Sequence, residues 1–100
     1  MPSPNSEKIA IENVIRPGKT YNVDAGKYEA MKRAFLKVLT KKTPGLTVAE
    51  VQKAVLPHLP KELFPGGAKA GWWMKAVQLD LEAKGVVARE KTTPLRLRKV

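Results

Sequence analysis

The sequence predicts a single α+β domain made of three helices and a C-terminal two-strand hairpin, preceded by an N-terminal extension. Three segments place apolar residues at intervals of three and four, the period of a helix with a buried face. Residues 95–98 read Leu-Arg-Leu-Arg, an alternation typical of a half-buried strand. The 100 residues suffice for one core, and we divide them into an extension, residues 1–23, and a domain, residues 24–100.

The N-terminal extension is expected to be partly disordered. Residues 1–7 are polar and contain two prolines, a composition typical of a disordered arm. Ile9 and Ile11 alternate with other side chains and indicate a short strand, and the proline and glycine of residues 16–18 indicate a turn. Residues 1–8 lack the apolar core of a secretory signal, and no apolar run reaches the ~18 residues of a membrane span. We therefore expect a cytoplasmic protein.

The first helix has a capping residue, an apolar stripe and a stop signal. Asp24 can accept hydrogen bonds from the free amides of a first helical turn. The residues that recur on one face are Tyr28, Met31, Phe35 and Val38. The helix must end before residues 43–45, because the sequence Thr-Pro-Gly breaks helices.

The second helix is short. Leu46 indicates a brief strand before it, and Thr47 and Glu50 have the spacing of a capping box, in which each side chain bonds the other residue's amide. Pro57 limits this helix to about ten residues, because proline lacks the amide that continues a helix.

The third helix and the hairpin complete the domain. The helix is predicted over residues 68–84, and Gly85 is its expected left-handed stop. Residues 86–89 and 95–98 are the predicted strands, with a turn at residues 90–94 between them. The alternation in the last strand directs its leucines to the core and its arginines to solvent.

This order of elements resembles a winged helix-turn-helix domain over residues 24–100. The resemblance is carried by Gly45-Leu46-Thr47 and by residues 81–89, LEAKGVVAR, which are similar to the end of the recognition helix in many bacterial winged-helix regulators. It implies a DNA-binding domain in which the third helix enters the major groove and the hairpin forms the wing. Winged helices also serve as protein–protein modules, so the fold alone leaves both functions open.

A second resemblance covers nearly the whole chain. The strings PGKT, KYEAM, LFPGG, GWW and VQLDLEAKG, which begin at residues 17, 27, 63, 71 and 77, resemble a small uncharacterised bacterial protein family. That resemblance implies a winged-helix-like fold and brings no activity and no site residue with it.

The chain carries a formal charge of +10 that is unevenly distributed. Residues 43–88 are nearly balanced, and the excess lies in residues 27–42 and 89–99. The basic residues of the first stretch are Lys27, Lys32, Arg33, Lys37, Lys41 and Lys42, and those of the second are Arg89, Lys91, Arg96, Arg98 and Lys99. Segregated positive charge suits an anionic partner, although a solvated surface is the alternative.

We predict a module that binds double-stranded DNA, mainly through phosphate groups. The polar candidates on the third helix are Lys69, Lys75 and Gln78, whose amide can read adenine. The candidates on the wing are Arg89, Lys91, Arg96 and Arg98. The first helix would add backbone contacts from Lys32, Lys37 or Lys41.

A second apolar stripe on the third helix does not fit a DNA-reading helix. The core face holds Ala70, Met74, Val77 and Leu81, and the opposite face holds Trp72, Ala76, Leu79 and Ala83. Three explanations stay open. The N-terminal segment covers the stripe, or the helix forms a dimer or partner interface through Trp72, Ala76 and Leu79, or the stripe is exposed and stacks on bases.

Composition excludes several classes of site. The absence of cysteine excludes disulfides, thiolate zinc sites and cysteine nucleophiles, and the single histidine, His58, has no ligand at metal spacing. We therefore expect no metal, no cofactor and no enzymatic activity. The alternative to nucleic-acid binding is a protein-interaction or homodimerisation module.

Overall fold

Three helices and five short strands form the structure, a computed structural model that describes residues 7–100. In chain order they are β1 (Lys8–Glu12), β2 (Thr20–Asp24), α1 (Ala25–Val38), β3 (Leu46–Thr47), α2 (Val48–Val55), α3 (Ala70–Ala83), β4 (Val87–Glu90) and β5 (Arg96–Lys99). The predicted α+β class is confirmed. The disordered arm predicted for residues 1–7 lies outside the described residues except at Glu7, whose carbonyl accepts from the amide of Ala25 at 2.9 Å. Between residues 7 and 100, no helix has the length and apolar character needed to cross a membrane.

Helix α1 begins where the predicted cap stands. The carboxylate of Asp24 accepts a hydrogen bond from the amide of Lys27 at 2.9 Å, which satisfies one free donor of the first turn. Tyr28, Met31 and Phe35 are fully buried, so the predicted stripe is the core face of this helix. Leu39, directly after the last helical residue, is buried as well.

Helix α2 has the capping box that its sequence predicts. The Thr47 hydroxyl accepts from the Glu50 amide at 3.1 Å, and the Glu50 carboxylate accepts from the Thr47 amide at 2.8 Å. These hydrogen bonds hold the pKa of the Glu50 carboxyl below its usual value. The α-helix ends at Val55, and a 3-10 turn over Leu56–His58 accommodates the proline.

A three-stranded antiparallel sheet closes one side of the domain. Its strand order is β3-β5-β4, so the last strand lies between the other two. Leu97 at the centre of β5 is fully buried opposite Leu46. Gly45 precedes β3 with a φ of +85°, and a Cβ there would overlap the carbonyl oxygen of Leu97. This position therefore needs glycine both for its left-handed backbone and for the close approach of β5.

Helix α3 supplies the central buried face of the core. It starts two residues later than predicted, after Lys69 in a left-handed conformation, and Gly85 follows its end with a φ of 74°. The predicted core face is confirmed, because the residues buried on it are Ala70, Met74, Val77 and Leu81, with Trp73 beside them. The helix thus supplies one continuous row to the core formed with α1 and α2.

The segment before α1 folds into a hairpin that packs on α1 and α3. Strands β1 and β2 are antiparallel, with Ile11 opposite Tyr21, and the turn between them contains Gly18. β1 agrees with the predicted short strand, whereas β2 was not predicted from its polar and short sequence. Ile11 is buried in the common core, and the amide of Val14 donates to the carbonyl of Leu79 at 3.3 Å.

The carboxylate of Asp80 joins this hairpin to both helices. Asp80 is fully buried on α3 and accepts from the amide of Glu12 in β1 at 2.8 Å. It also accepts from the hydroxyl of Tyr28 in α1, and it pairs with the ammonium of Lys84 at 2.9 Å. Burial, together with the bond to Asp80, raises the pKa of the Tyr28 phenol well above its usual value.

Gly45→Ala is expected to destabilise the domain by about 3 kcal/mol or more, because the new Cβ meets the β5 backbone in addition to imposing left-handed strain. Gly18→Ala is the matched control, since Gly18 has a φ of +86° and no atom of residues 7–100 lies within 4 Å of the position that a Cβ would take. This variant should lose only about 1 kcal/mol of unfolding free energy, from the left-handed backbone strain alone. Urea unfolding of the two variants measures the difference, and equal losses of stability would contradict the close approach.

Tyr28→Phe removes the hydroxyl that donates to Asp80 and is expected to lower the free energy of unfolding by about 2 kcal/mol at pH 8. The wild-type advantage depends on pH. An unfolded tyrosine ionises at pH ~10, whereas folded Tyr28 keeps its proton longer, so this stabilisation is complete below that pH and is lost as the pH rises above it. The difference between wild type and variant in urea unfolding should therefore shrink above pH ~10.

Tyr21→Phe is the control, because Tyr21 is exposed and its change should alter the unfolding free energy by less than about 0.5 kcal/mol. A difference between wild type and Tyr28→Phe that stays constant across the alkaline range would argue against a Tyr28 hydroxyl bonded to a buried carboxylate.

Candidate nucleic-acid interface

Most of the basic side chains have no acidic partner. Within residues 7–100, the basic residues that lie within 4.0 Å of a carboxylate are Lys84, Arg89, Arg96 and Arg98. Three of these four are the arginines that the sequence assigned to the wing. The lysines of α1 and of the α3 N-terminus have no such pair in this part of the chain, so their charge faces solvent or a partner.

Arg89 on β4 is tied to α3. Its guanidinium donates to both oxygens of Glu82, with 2.9 Å to Oε2, and the Glu82 side chain is almost fully buried. The bond to Glu82 raises the pKa of the Arg89 guanidinium. A bidentate pair of this kind has geometric specificity and fixes the orientation of the guanidinium. Arg89 was predicted to contact nucleic acid, and the structure gives it an internal partner that joins the wing to α3.

The two arginines of β5 are also engaged within the fold. Arg98 donates to the Glu90 carboxylate at 2.8 Å across the β4–β5 pair, and Arg96 donates to the carbonyl of Gly45 at 2.9 Å. Both lie on the face opposite the buried Leu97, as the alternation predicts, and both are half-buried because they have these partners within the fold. In the sheet register Glu90 lies opposite Arg96, so Arg98, two residues further along β5, is its diagonal neighbour and reaches its carboxylate. Lys91, in the turn after β4, is exposed.

Gln78 lies in the interior rather than on a reading surface. It is 5% exposed, and its amide nitrogen donates to the Glu82 carboxylate at 3.0 Å. The expectation of a solvent-facing amide was wrong, because Gln78 lies on a part of α3 that the rest of the fold covers. Lys69 and Lys75, the other two candidates on α3, are exposed.

The second apolar stripe of α3 is divided by the N-terminal hairpin. Leu79 is 7% exposed beneath the hairpin and Ala76 is half-buried, so the segment before α1 covers this part of the stripe. Leu79, predicted as an interface residue, is therefore an internal contact. Trp72, nearer the start of α3, is 59% exposed. The hairpin therefore accounts for the burial of Leu79 and leaves the Trp72 ring exposed.

Two cavities meet at Trp72. The first, which we call the hairpin cavity, is about 390 Å³ and lies between α3 and the β1–β2 hairpin, with Trp72, Lys75 and Tyr21 among its lining residues. The second, which we call the lysine cavity, is about 430 Å³ and is lined by Lys27, Lys69, Trp72 and Trp73. Tyr21 and Lys27 were not predicted as site residues, because only the packing of the hairpin and α1 brings them to α3.

The basic stretches at 27–42 and 89–99 meet in space. The amide of Lys99 at the end of β5 donates to the carbonyl of Thr40 after α1 at 2.8 Å. This bond puts Lys99 next to the segment that carries Lys41 and Lys42, both exposed. Arg33 and Lys37, one helical turn apart on α1, line a further small cavity of about 170 Å³ together with His58. We call Arg33, Lys37, Lys41, Lys42 and Lys99 the basic surface.

The described residues offer no metal centre: between residues 7 and 100, no group of three or more histidine, aspartate or glutamate side chains is placed to hold an ion. The buried carboxylates already have partners, Asp80 in the hairpin junction and Glu82 in the pair with Arg89.

Comparison with known proteins gives one family, described as a family of unknown function (DUF6958). Its model matches residues 8–97, which takes in all three helices and almost all of both sheets. No curated protein matches the chain. No solved structure matches it either.

Trp72→Ala is expected to change the free energy of unfolding by less than about 1 kcal/mol, because the ring is mostly exposed. Trp73→Ala is the matched comparison. Trp73 is 7% exposed and stands edge-on to Phe64, so its removal should cost about 3–5 kcal/mol through the cavity it leaves. Urea unfolding separates the two outcomes, and a Trp72→Ala variant that unfolds would mean that Trp72 is a core residue.

Proposed function

We propose that this chain, which belongs to a family of unknown function (DUF6958), is a winged-helix module that binds nucleic acid through contacts to phosphate groups. The order α1, β3, α2, α3, β4, β5 and the strand order β3-β5-β4 agree with the plan of a winged helix, with β4 and β5 as the wing. The β1–β2 hairpin is then an addition to that plan.

The observation that carries this proposal is the basic surface. Its side chains come from residues 33–42 and from the C-terminal strand β5, and the hydrogen bond from Lys99 to Thr40 joins these two segments. None of the five residues lies within 4.0 Å of a carboxylate in the described part of the chain. Uncompensated lysines close together raise the folding cost of the domain through repulsion, and phosphate groups relieve that repulsion.

The α3 helix is not favoured as the element that reads bases. The hairpin covers its outer face at Leu79, and Gln78 is buried. The three arginines of the wing are engaged with Glu82, Glu90 and the Gly45 carbonyl. We therefore expect binding dominated by phosphate contacts, with strong dependence on salt and weak dependence on sequence.

The triple substitution Lys37→Gln, Lys41→Gln and Lys42→Gln is expected to weaken binding to a mixed-sequence 20-base-pair DNA. It should also reduce the slope of log K against log salt by about 0.9 for each phosphate group that the variant no longer binds. Fluorescence anisotropy with labelled DNA over a series of salt concentrations measures both quantities.

The control is a second triple variant with the same change of charge, Lys19→Gln, Lys53→Gln and Lys61→Gln, all at exposed positions outside the basic surface. It should retain most of the affinity and the wild-type slope. Equal reductions in the two variants would show that only net charge matters, and wild-type protein that does not bind DNA at low salt would overturn the proposal.

A protein-interaction module is the second candidate, and the exposed ring of Trp72 favours it, because exposed tryptophans are enriched at interfaces. Its homodimer form requires self-association through Trp72 and the exposed part of the stripe. Sedimentation of the wild type at high concentration tests the homodimer, and a protein that sediments as a monomer under this condition would exclude it.

A further inference from the structure

We infer that the two cavities around Trp72 take an unpaired nucleobase and its neighbouring phosphates, which makes single-stranded nucleic acid the preferred ligand. This inference rests on the proposed function, and it names the class of nucleic acid that binds around Trp72. Trp72 lines both the hairpin cavity and the lysine cavity. A base stacked on its ring therefore lies close to the lysines of both.

The Trp72 ring is held in place before any ligand binds. It packs at 80° to Trp73, with ring centroids 5.0 Å apart, and Trp73 is itself buried against Phe64. An exposed aromatic ring that already has a fixed orientation loses little conformational entropy when a ligand stacks on it. Exposure of a large apolar ring on a rigid support is the arrangement found in base-stacking platforms.

A second aromatic side chain lines the hairpin cavity. Tyr21 on β2 is 39% exposed and lines this cavity together with Trp72, while Ala76 and Leu79 supply aliphatic surface. A volume of about 390 Å³ lies in the lower part of the range for sites of small organic molecules. A flat aromatic solute such as a base fits walls of this kind.

The rim of the cavities is positive. Lys27 and Lys69 line the lysine cavity, and Lys75 lines the hairpin cavity, against a single acidic lining residue, Glu12. None of the three lysines pairs with a carboxylate within 4.0 Å among residues 7–100. This charge is complementary to the phosphates on either side of a stacked base.

The combination of rings and lysines selects among anionic partners. An acidic peptide would satisfy the lysines but would leave the two aromatic side chains without a flat partner. A duplex satisfies the lysines as well, but its bases are stacked on one another and cannot reach Trp72. A single strand offers both a free base and flanking phosphates.

The test compares a ten-nucleotide oligothymidylate with a ten-base-pair duplex at about 150 mM salt, where weak surface effects are screened. Intrinsic tryptophan fluorescence should be quenched by the single strand and not by the duplex. Trp72→Ala should weaken single-strand binding about 5- to 100-fold and leave duplex binding within about twofold. Trp72→Phe should retain part of the affinity, because phenylalanine still offers a ring for stacking.

Three results would overturn the inference. Single-strand affinity that is unchanged in Trp72→Ala, while the variant with Lys37, Lys41 and Lys42 replaced no longer binds the duplex, leaves the proposed function intact and removes the stacking site. Absence of binding to either probe at about 150 mM salt removes the stacking site, and absence at low salt as well removes the proposed function too. A decapeptide of glutamate that displaces the oligothymidylate in a Trp72-dependent manner, and binds more tightly than it, shows that the cavities serve a protein. Urea unfolding of each variant confirms that the comparison is made on folded protein.

Discussion

The carboxylate of Asp80 is the group on which the arrangement of this protein depends. A buried charge costs several kcal/mol unless it is paired and hydrogen-bonded, and Asp80 meets this requirement with donors from three places. They are the amide of Glu12 in β1, the hydroxyl of Tyr28 in α1 and the ammonium of Lys84, just after its own helix. Removal of any one donor leaves the carboxylate under-satisfied. The N-terminal hairpin is thus held to the helices by a polar contact as well as by the burial of Ile11.

This attachment decides which surface of α3 is free. With the hairpin in place, Leu79 is an interior residue. Gln78, bonded to Glu82, is interior as well, so the middle of the helix presents no row of polar side chains for a DNA groove. The free part of the helix is its start, where Trp72 is exposed among lysines that come from α1, from α3 and from the residue before α3. The structure therefore favours a site at the end of α3 over one along its length.

Acidic residues are few in this chain, and the carboxylates of five of the nine make hydrogen bonds or ion pairs within residues 7–100. Glu82 engages Arg89 and Gln78, Glu90 engages Arg98, and Glu50 and Asp24 cap helices. The arginines of the wing are occupied by contacts of the same kind. Within residues 7–100, lysines without a carboxylate partner remain on α1, on the segment after it, at the end of β5 and around the start of α3. The bond between Lys99 and Thr40 brings the segment after α1 next to the end of β5. The proposed function depends on this positive charge, because no carboxylate in the described part of the chain neutralises it.

The sequence alone determined the features that depend on residues close together in the chain. The caps at Asp24 and Thr47, the stop at Gly85 and the core face of α3 follow from spacings of three and four residues or from backbone preference. Tertiary structure decided the rest. The hydrogen bonds to Asp80 span 52 and 68 residues of sequence, and no local pattern reports such pairs. The pairing of β2 with β1, the burial of Leu79 and Gln78 and the exposure of Trp72 were also decided by tertiary structure, because one helix face becomes interior or surface only when another element covers it or leaves it open.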